Sequence, residues 1–484
     1  MNESIRNLEP IRLWNNFADL NAVPRASKKE EQVIEFIKNF GKNLSLETFE
    51  DDVRNIIIRK PATSGMENRK GIVLQSHIDM VHQKNNDTDF DFATQGIEMY
   101  VEGDWVRANG TTLGADNGLG VATIMAILES DTIAHPAIDA LFTIDEETGM
   151  TGALGLKGGI LQGEILLNLD TEEDNEIGVG CAGGVDVTAS KNYLPIPSSN
   201  DSNAYKITIK GLQGGHSGME IQLGLGNANK LMNRILSEVN DNCALSSLLG
   251  GSLRNAIPRE SNAIVVVSIN NEIEFLAGIE KMKNEIKNEF HHLESAINIS
   301  VNKLAVPETV LSIEDQNQLF KAIYATHNGV FRMSPAIESL VETSNNIAKI
   351  AVNNGIIKIE CLTRSSVDSS KENMVNTLTA VFELAGFTVS FSGDYPGWAP
   401  NMDSAILNVL ATLYEKINGE KANIAACHAG LECGILGTNY PGMDMISFGP
   451  TIKGAHSPDE RASISSTQKF WKFIKEILKE IPFK

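Results

Sequence analysis

Cysteine is scarce in this 484-residue chain: Cys181, Cys243, Cys361, Cys427 and Cys433 are scattered and never form a C-x-x-C pair. That excludes a disulfide framework, and thiols in a reducing compartment are expected. Positive charge is also in deficit, with 41 Lys and Arg against 62 Asp and Glu and a net charge of −21. Such a surface repels phosphate backbones and anionic membranes, which argues against nucleic acid or a membrane as partner. Long apolar runs are missing too, since none reaches the roughly 18–20 residues that span a bilayer. The opening MNESIRNLEP has no basic region leading into an apolar core, so a cytoplasmic location is expected.

What is present reads as ordinary globular sequence, 42% hydrophobic and 21% charged. The length suggests about three structural units. The first third alternates helical and strand patterns: an amphipathic helix over Ser27–Asn43, strands GIVLQS (71–76), ALFTI (140–144) and EILLNL (164–169), and a helix over VATIMAILE (121–129). That alternation predicts an α/β fold with a mostly parallel sheet and helices on both faces. A Pro-, Ser- and Asn-rich connector, KNYLPIPSSNDSNA, follows. Beyond it the order strand, helix, strand near 252–257, strand, helix, strand is that of a ferredoxin-like module. A second run of similar order comes after Pro307, and the α/β pattern resumes after DYPGWAP. The expected organisation is one discontinuous α/β domain, 1–186 and 400–484, interrupted by an α+β insertion over 187–399 that can be divided into modules at 205–304 and 307–393.

Acidic and imidazole residues gather where strands are expected to end: His77 and Asp79 in HID, Asp116 in TTLGADNGLG, Glu146 and Glu147 in IDEETGMTGA, Asp170 in LLNLDTEED, and His456 in GPTIKGAHSPDE. Singly, each reads as a solvated turn or a structural histidine. Jointly they describe a pocket in which Asp79, Asp116, Glu146, Glu147 and Asp170 would carry −5. Carboxylates that close cannot all stay ionised without counter-charge, and two divalent cations would leave −1. Imidazole with carboxylate is a donor set that suits zinc, and two metals about 3.5–4 Å apart form the clamp of aminopeptidases. His82, His135, His291, His292 and His327 have no ligand-like context, and Cys181 and Cys433 read as small buried residues.

The order His-x-Asp, Gly-Ala-Asp-Asn-Gly, Asp-Glu-Glu, Asp, Ala-His-x-Pro-Asp-Glu resembles the co-catalytic zinc peptidase superfamily. The segments DEETGMTGA, DTEED…VGCAGG, KGLQGGHSG, RNAIPRE and HAGLECGI are similar to its aminoacyl-histidine dipeptidase branch, the bacterial cytosolic nonspecific dipeptidases. The resemblance spans nearly the whole chain. It implies hydrolysis of dipeptides, Xaa-His (carnosine-like) ones included, by a zinc-activated hydroxide. Two Zn2+ per subunit are implied, with Mn2+ or Co2+ as alternatives. One would lie on His77 and Asp170 and the other on Glu147 and His456, with Asp116 bridging and a cis bond expected after it. Asp79 would fix the His77 tautomer, and Glu146 would be the general base.

His216 in GLQGGHSG would stabilise the oxyanion. Asn255 in RNAIPRE and Arg364 in ECLTRSS would hold the substrate carboxylate. Glu432 in HAGLECG would face the substrate ammonium or, more plainly, start a helix; His428 in the same segment is harder to place. Relatives with one lid module take the oxyanion histidine from a dimer partner, so the doubled order here raises the hypothesis that His216 acts within one chain; a homodimer remains compatible. The rival readings are an N-acyl amino acid deacylase or amidohydrolase of the same superfamily, and a non-catalytic zinc-binding scaffold. Glu146 speaks against the second, because a structural site needs ligands but no base.

Overall fold

The apolar runs of the first third become the centre of one sheet in the computed structural model, which describes residues 2–484. Strands Ile138–Thr143, Ile72–His77 and Ile165–Asn168 are buried throughout. With Asp444–Ser447 they form four neighbouring strands paired in parallel. Continuous apolar sequence is what a strand covered on both faces requires. Glu47–Glu50 and Ile56–Lys60 extend this sheet antiparallel on one side, and Glu176–Cys181 and Asn423–Cys427 extend it on the other. The register sets His77 level with Thr143, and Gln75 and Ser447 level with Asn168. All four carboxyl ends therefore reach one rim, where the loops of such a sheet carry function.

Helix Ala115–Glu129 is buried continuously from Asn117 to Leu128, as a helix apolar on every side must be. Helix Ile11–Leu20 buries Leu13, Trp14 and Phe17, the last two meeting edge to face at 5.8 Å. Helix Ile464–Lys479, capped by the Ser463 hydroxyl on the Ser466 N–H, brings Phe470 and Phe473 to 5.6 Å from Phe448. A small sheet runs in the order Ile452–Lys453, Arg461–Ser463, Trp105–Ala108, Met99–Glu102. Its first two strands pair antiparallel, which makes residues 454–460 a hairpin loop. The helix expected from Ser27 starts at Glu31, because Ala26 bridges to Met80 and Lys28 takes a left-handed φ of 66°.

The chain divides into two units, 1–181 with 398–426 and 431–484, and 182–397 with 427–430. The second unit holds a nine-stranded sheet, Asn298–Leu304, Ser202–Lys210, Ser261–Ser268, Ala244–Gly250, Val341–Asn353, Ile356–Ser365, Gly183–Asn192, Thr388–Tyr395, with Gly329–Met333 also on Val341–Asn353. Within its first half the strands stand in the order fourth, first, third, second. The second half shows the mirrored order once Gly183–Asn192 is counted as its first strand. Each half is thus a β-α-β-β-α-β module, and the two join where Leu248, Leu249 and Gly250 pair with Val352, Ala351 and Ile350. Leu231, Ile235, Phe275, Leu319 and Phe382, from the four helices, share one apolar core with the sheet.

Two sequence expectations are corrected here. The strand placed near 252–257 lies at Ala244–Gly250. Gly251, at φ 76°, turns the chain, and only Ala256–Ile257 of the expected segment is extended, pairing with Gly215–His216. The second module is not contiguous after Pro307, because its first strand, Gly183–Asn192, precedes the entire first module.

Candidate metal centre and active site

Three of the parallel strands deliver ligand-type residues at or just past their carboxyl ends, and the fourth leads to one on a hairpin further along. His77 closes strand Ile72–His77 and Asp79 follows it; Glu146 and Glu147 open the short helix Glu146–Gly149 after strand Ile138–Thr143; Asp170 follows strand Ile165–Asn168; His456 lies on the 454–460 hairpin beyond Asp444–Ser447. Asp116 sits at the head of helix Ala115–Glu129, where Asp116 and Asn117 depart from helical angles and the peptide bond between them is cis.

Two donor groups result. His77 Nε2 lies 3.2 Å from Asp116 Oδ1 and 3.4 Å from Asp170 Oδ1. His456 Nε2 lies 3.1 Å from Asp116 Oδ2 and 3.1 Å from Glu147 Oε2. Asp116 thus turns one oxygen to each group. Donors held roughly 2.0–2.1 Å from a tetrahedral ion stand about 3.3 Å apart, so these separations fit the edges of such a shell. Glu147 Oε1 is buried with no hydrogen-bond partner among the described residues, a cost that a cation would relieve. The residues present therefore fit two divalent cations sharing Asp116. Asp79 lies behind His77, with Oδ1 3.3 Å from Nδ1, and is itself held by the Ser27 hydroxyl at 2.8 Å and the Glu146 and Glu147 N–H groups at 3.1 and 3.3 Å.

The electrostatics are those of a place short of positive charge. Burial opposes a charged His77, yet Asp170, Asp116 and Asp79 outweigh it and hold its pKa well above the ordinary value. Hydrogen bonds to Asp116 and Glu147 push His456 up to about 11. Burial raises Asp170 to about 6 and Glu172, in the loop beyond it, to about 8. Burial likewise lifts Glu146 well above a normal carboxyl, with Asp170, Glu432 and Glu147 adding to the rise.

Beneath the rim runs a layer of buried polar side chains. Glu432 Oε2 accepts from Gln75 at 2.6 Å and from Thr143 at 2.7 Å. Gln75 accepts from Asn168 at 2.5 Å, and Asn168 accepts from Ser447 at 2.5 Å. Every parallel strand contributes one member. Glu432 is the first residue of helix Glu432–Asn439 and is 0% exposed, and burial pushes its carboxyl up to about 8.

Sequence reasoning assigned no role to two residues that hold the ligand loops. Glu460, buried in the hairpin, accepts four consecutive backbone N–H groups: Leu113 at 2.7 Å, Gly114 at 2.9 Å, Ala115 at 2.7 Å and Asp116 at 3.3 Å. Arg25, equally buried, donates to the carbonyls of Ile78 at 3.2 Å, Asp79 at 3.0 Å and Gly114 at 2.5 Å. The usable signal was the glycine-containing TTLGAD loop, whose N–H groups need an acceptor once buried.

The second unit carries His216, Asn255 and Arg364. His216 follows Gly215 in a two-residue strand, and its Nδ1 accepts the N–H groups of Gly218 and Met219 at 3.2 and 3.1 Å. The neutral ring must then carry its proton on Nε2. Burial, reinforced by Arg364, lowers His216 to about 4. Arg364, in strand Ile356–Ser365, is buried, donates to the Tyr395 hydroxyl at 3.1 Å, and leaves Nε without a hydrogen-bond partner among the described residues. His428 joins this cluster through Ser344 at 2.8 Å, and burial with Arg364 and His216 lowers it to about 3. A Cβ on Gly218 would come within 3.1 Å of the His216 ring and 3.2 Å of Arg364 Nε. Asn255 lies on the exposed turn before Ala256–Ile257, where its carbonyl accepts the Ser217 N–H at 2.8 Å.

The family model described as Peptidase family M20/M25/M40 matches residues 73–480. The chain is 43% identical over 480 residues to the cytosol non-specific dipeptidase of Escherichia coli (strain K12), covering 99% of each. Its structure is similar to that of the aminoacylhistidine dipeptidase from Vibrio alginolyticus, with a TM-score of 0.93, 44% identity, and coverage of 99% of this chain and 98% of that one. An aminopeptidase from Bacillus cereus shares the fold at a TM-score of 0.58 and 16% identity, with 98% and 99% coverage.

Proposed function

The chain belongs to peptidase family M20/M25/M40, and from that premise we propose that it is a cytoplasmic metallodipeptidase using two divalent cations, with zinc as first candidate and manganese or cobalt as alternatives. The observation that carries the reading is the pair of donor groups sharing Asp116 through opposite oxygens. His77 and Asp170 would hold one cation, Glu147 and His456 the other, and Asp116 both. Bound there, such ions supply Lewis acidity toward a scissile carbonyl and lower the pKa of water.

The remaining steps belong to side chains. Glu146 takes the proton of the attacking water and delivers it to the leaving amine, a role suited to a carboxyl whose pKa burial has raised. Asp79 keeps Nδ1 of His77 protonated, so that Nε2 is the donor atom. For the second unit we assign His216, with its proton on Nε2, to the developing oxyanion. Arg364, with Asn255, is assigned to the substrate carboxylate. Glu432, without exposed surface, supports the ligand-bearing strands through Gln75 and Thr143.

The substrates are dipeptides with a free amino group, Xaa-His ones included, in line with what the two near relatives are named for. The test is a panel of dipeptides, with β-alanyl-histidine and N-acetyl amino acids, on metal-stripped protein with each metal restored in turn. Dipeptide turnover that returns with metal is expected. Hydrolysis of the N-acetyl compounds alone would replace this reading with a deacylase, and metal uptake without any hydrolysis would leave a zinc-binding scaffold. Mixing His216→Ala chains with Glu146→Gln chains, whose lesion lies in the first unit, tests where His216 works: no recovery is expected if it acts in its own chain, and recovered turnover would place it across a homodimer.

A further inference from the structure

The carboxylate of Glu460 is buried and has its hydrogen bonds to backbone. Both of its oxygens are spent on four successive backbone N–H groups, the last belonging to Asp116 itself. Four aligned donors with no intrahelical partner, at the head of helix Ala115–Glu129, are a concentrated positive site. Filling it from inside the chain with a carboxylate fixes the backbone that presents Asp116. Glu460 also sits four residues after His456 on the same short hairpin, whose strand Arg461–Ser463 pairs with Trp105–Ala108, the strand leading into the Asp116 loop. Arg25 holds the same loop from its carbonyl side at Gly114 and ties it to Ile78 and Asp79.

The two donor groups are therefore supported differently. His77 and Asp170 stand on the ends of adjacent paired strands, so their separation is set by the sheet. His456 stands on a hairpin tip at a φ of 63° with a half-exposed side chain, and nothing in the sheet sets its distance from Asp116. Glu460 supplies that tie.

We propose that Glu460 is a positioning residue for the Asp116–Glu147–His456 cation site, locking the hairpin that carries His456 to the backbone of the shared ligand Asp116. This rests on the two-cation reading above. Its consequence is unequal: Asp116 serves both sites, but His77 and Asp170 keep the separation that the sheet gives them, so weakening the grip of Glu460 weakens the site that contains His456 far more than the His77–Asp116–Asp170 site.

The test is a Co2+ titration of metal-stripped full-length protein, followed by visible absorption, in wild type, Glu460→Gln, Glu460→Asp and Glu147→Gln. Gln keeps the shape of the side chain but sets an amide N–H₂ against two of the four backbone donors, and Asp keeps the charge on a shorter reach. Two binding steps are expected in wild type. In Glu460→Gln the step that Glu147→Gln also loses should weaken at least tenfold while the other stays within threefold. Glu460→Asp should be intermediate, and KM for a dipeptide at saturating Co2+ should stay within threefold of wild type. Unchanged steps in both Glu460 variants would overturn the proposal. So would equal weakening of both steps together with a lower melting temperature of the metal-free chain, since that describes general support of the fold. A wild type that takes up fewer than two ions would instead sink the two-cation reading itself, whatever the Glu460 variants do.

Discussion

The two units collect polar side chains of opposite character. In the first, Asp79, Asp116, Glu146, Glu147 and Asp170 crowd one rim; Asp170, Asp116 and Asp79 outweigh burial to hold His77 high, and hydrogen bonds to Asp116 and Glu147 push His456 up to about 11. In the second, burial and then Arg364 drive histidines down, His216 to about 4 and His428 to about 3. The same residue type is thus a ready partner for carboxylates in one place and a neutral hydrogen-bond donor in the other. The first arrangement is suited to cations and the second, with Arg364 among its buried groups, to an anion. Backbone geometry differs in parallel: ligands on the rim of a parallel sheet in one, side chains on an antiparallel sheet and its loops in the other.

The comparison can be broken one side at a time, and the largest effect should come from Glu146, the proposed base. Glu146→Gln is expected to lower kcat about 10²–10⁴-fold while metal content, read by atomic emission, stays at the wild-type level. Wild-type turnover in that variant would remove Glu146 from the chemistry.

Next come two glycines that separate the units. A Cβ on Gly120 would lie 2.2 Å from Asn117 Oδ1 and 2.2 Å from Ser76 Oγ, directly under the Asp116 turn. A Cβ on Gly218 would meet the His428 carbonyl oxygen, with the His216 ring and Arg364 close by. Gly120→Ala should lower metal content together with activity. Gly218→Ala should leave metal content intact and lower kcat/KM at least tenfold. Metal loss in Gly218→Ala would erase the distinction.

A smaller effect is expected from Arg364→Lys. It replaces a planar fork by a point charge, and should raise KM for dipeptides about tenfold with kcat within threefold. A fall in kcat at unchanged KM would assign Arg364 to the reacting atoms.

The smallest effect concerns pH. His428 binds its proton less readily folded than unfolded, so stability is full above the unfolded value near 6.5 and falls as pH drops from there toward about 3. Melting temperatures of His428→Gln should therefore decline less than those of wild type between pH 6 and 4. Parallel curves would show that His428 is not responsible for acid sensitivity in the second unit.

Much of the first unit was legible because its signals are local. An apolar run followed at once by His77, by Glu146 and Glu147, or by Asp170 is a strand end delivering imidazole or carboxylate, and a parallel sheet brings such ends together. The element order of the second unit was legible from periodicity for the same reason. What escaped was whatever depends on residues far apart. Glu460 lies 344 residues from the Asp116 N–H it accepts, and nothing in HSPDE marks its last carboxylate as facing inward. Strand Gly183–Asn192 completes a module whose other elements begin beyond residue 307, with an entire module between, so a search for neighbouring repeats could not find its first strand. Ala244–Gly250 was missed because turn residues after Gly251 resembled a strand more than the half-polar ALSSLLG did.

The sequence alone determined which residue types stand at the ends of which strands, and hence the chemistry available: carboxylates and imidazoles in the first unit, histidine, asparagine and arginine in the second. Covalent order and side-chain periodicity suffice for that. Tertiary structure alone decided that Asp116 faces two donor groups at once, that Glu432 is buried beneath the rim, and that Glu460 and Arg25 hold the loops from below. These are matters of distance and burial between segments from 39 to 357 residues apart, and they exist only once the sheet has set its register and burial has forced polar groups to find partners.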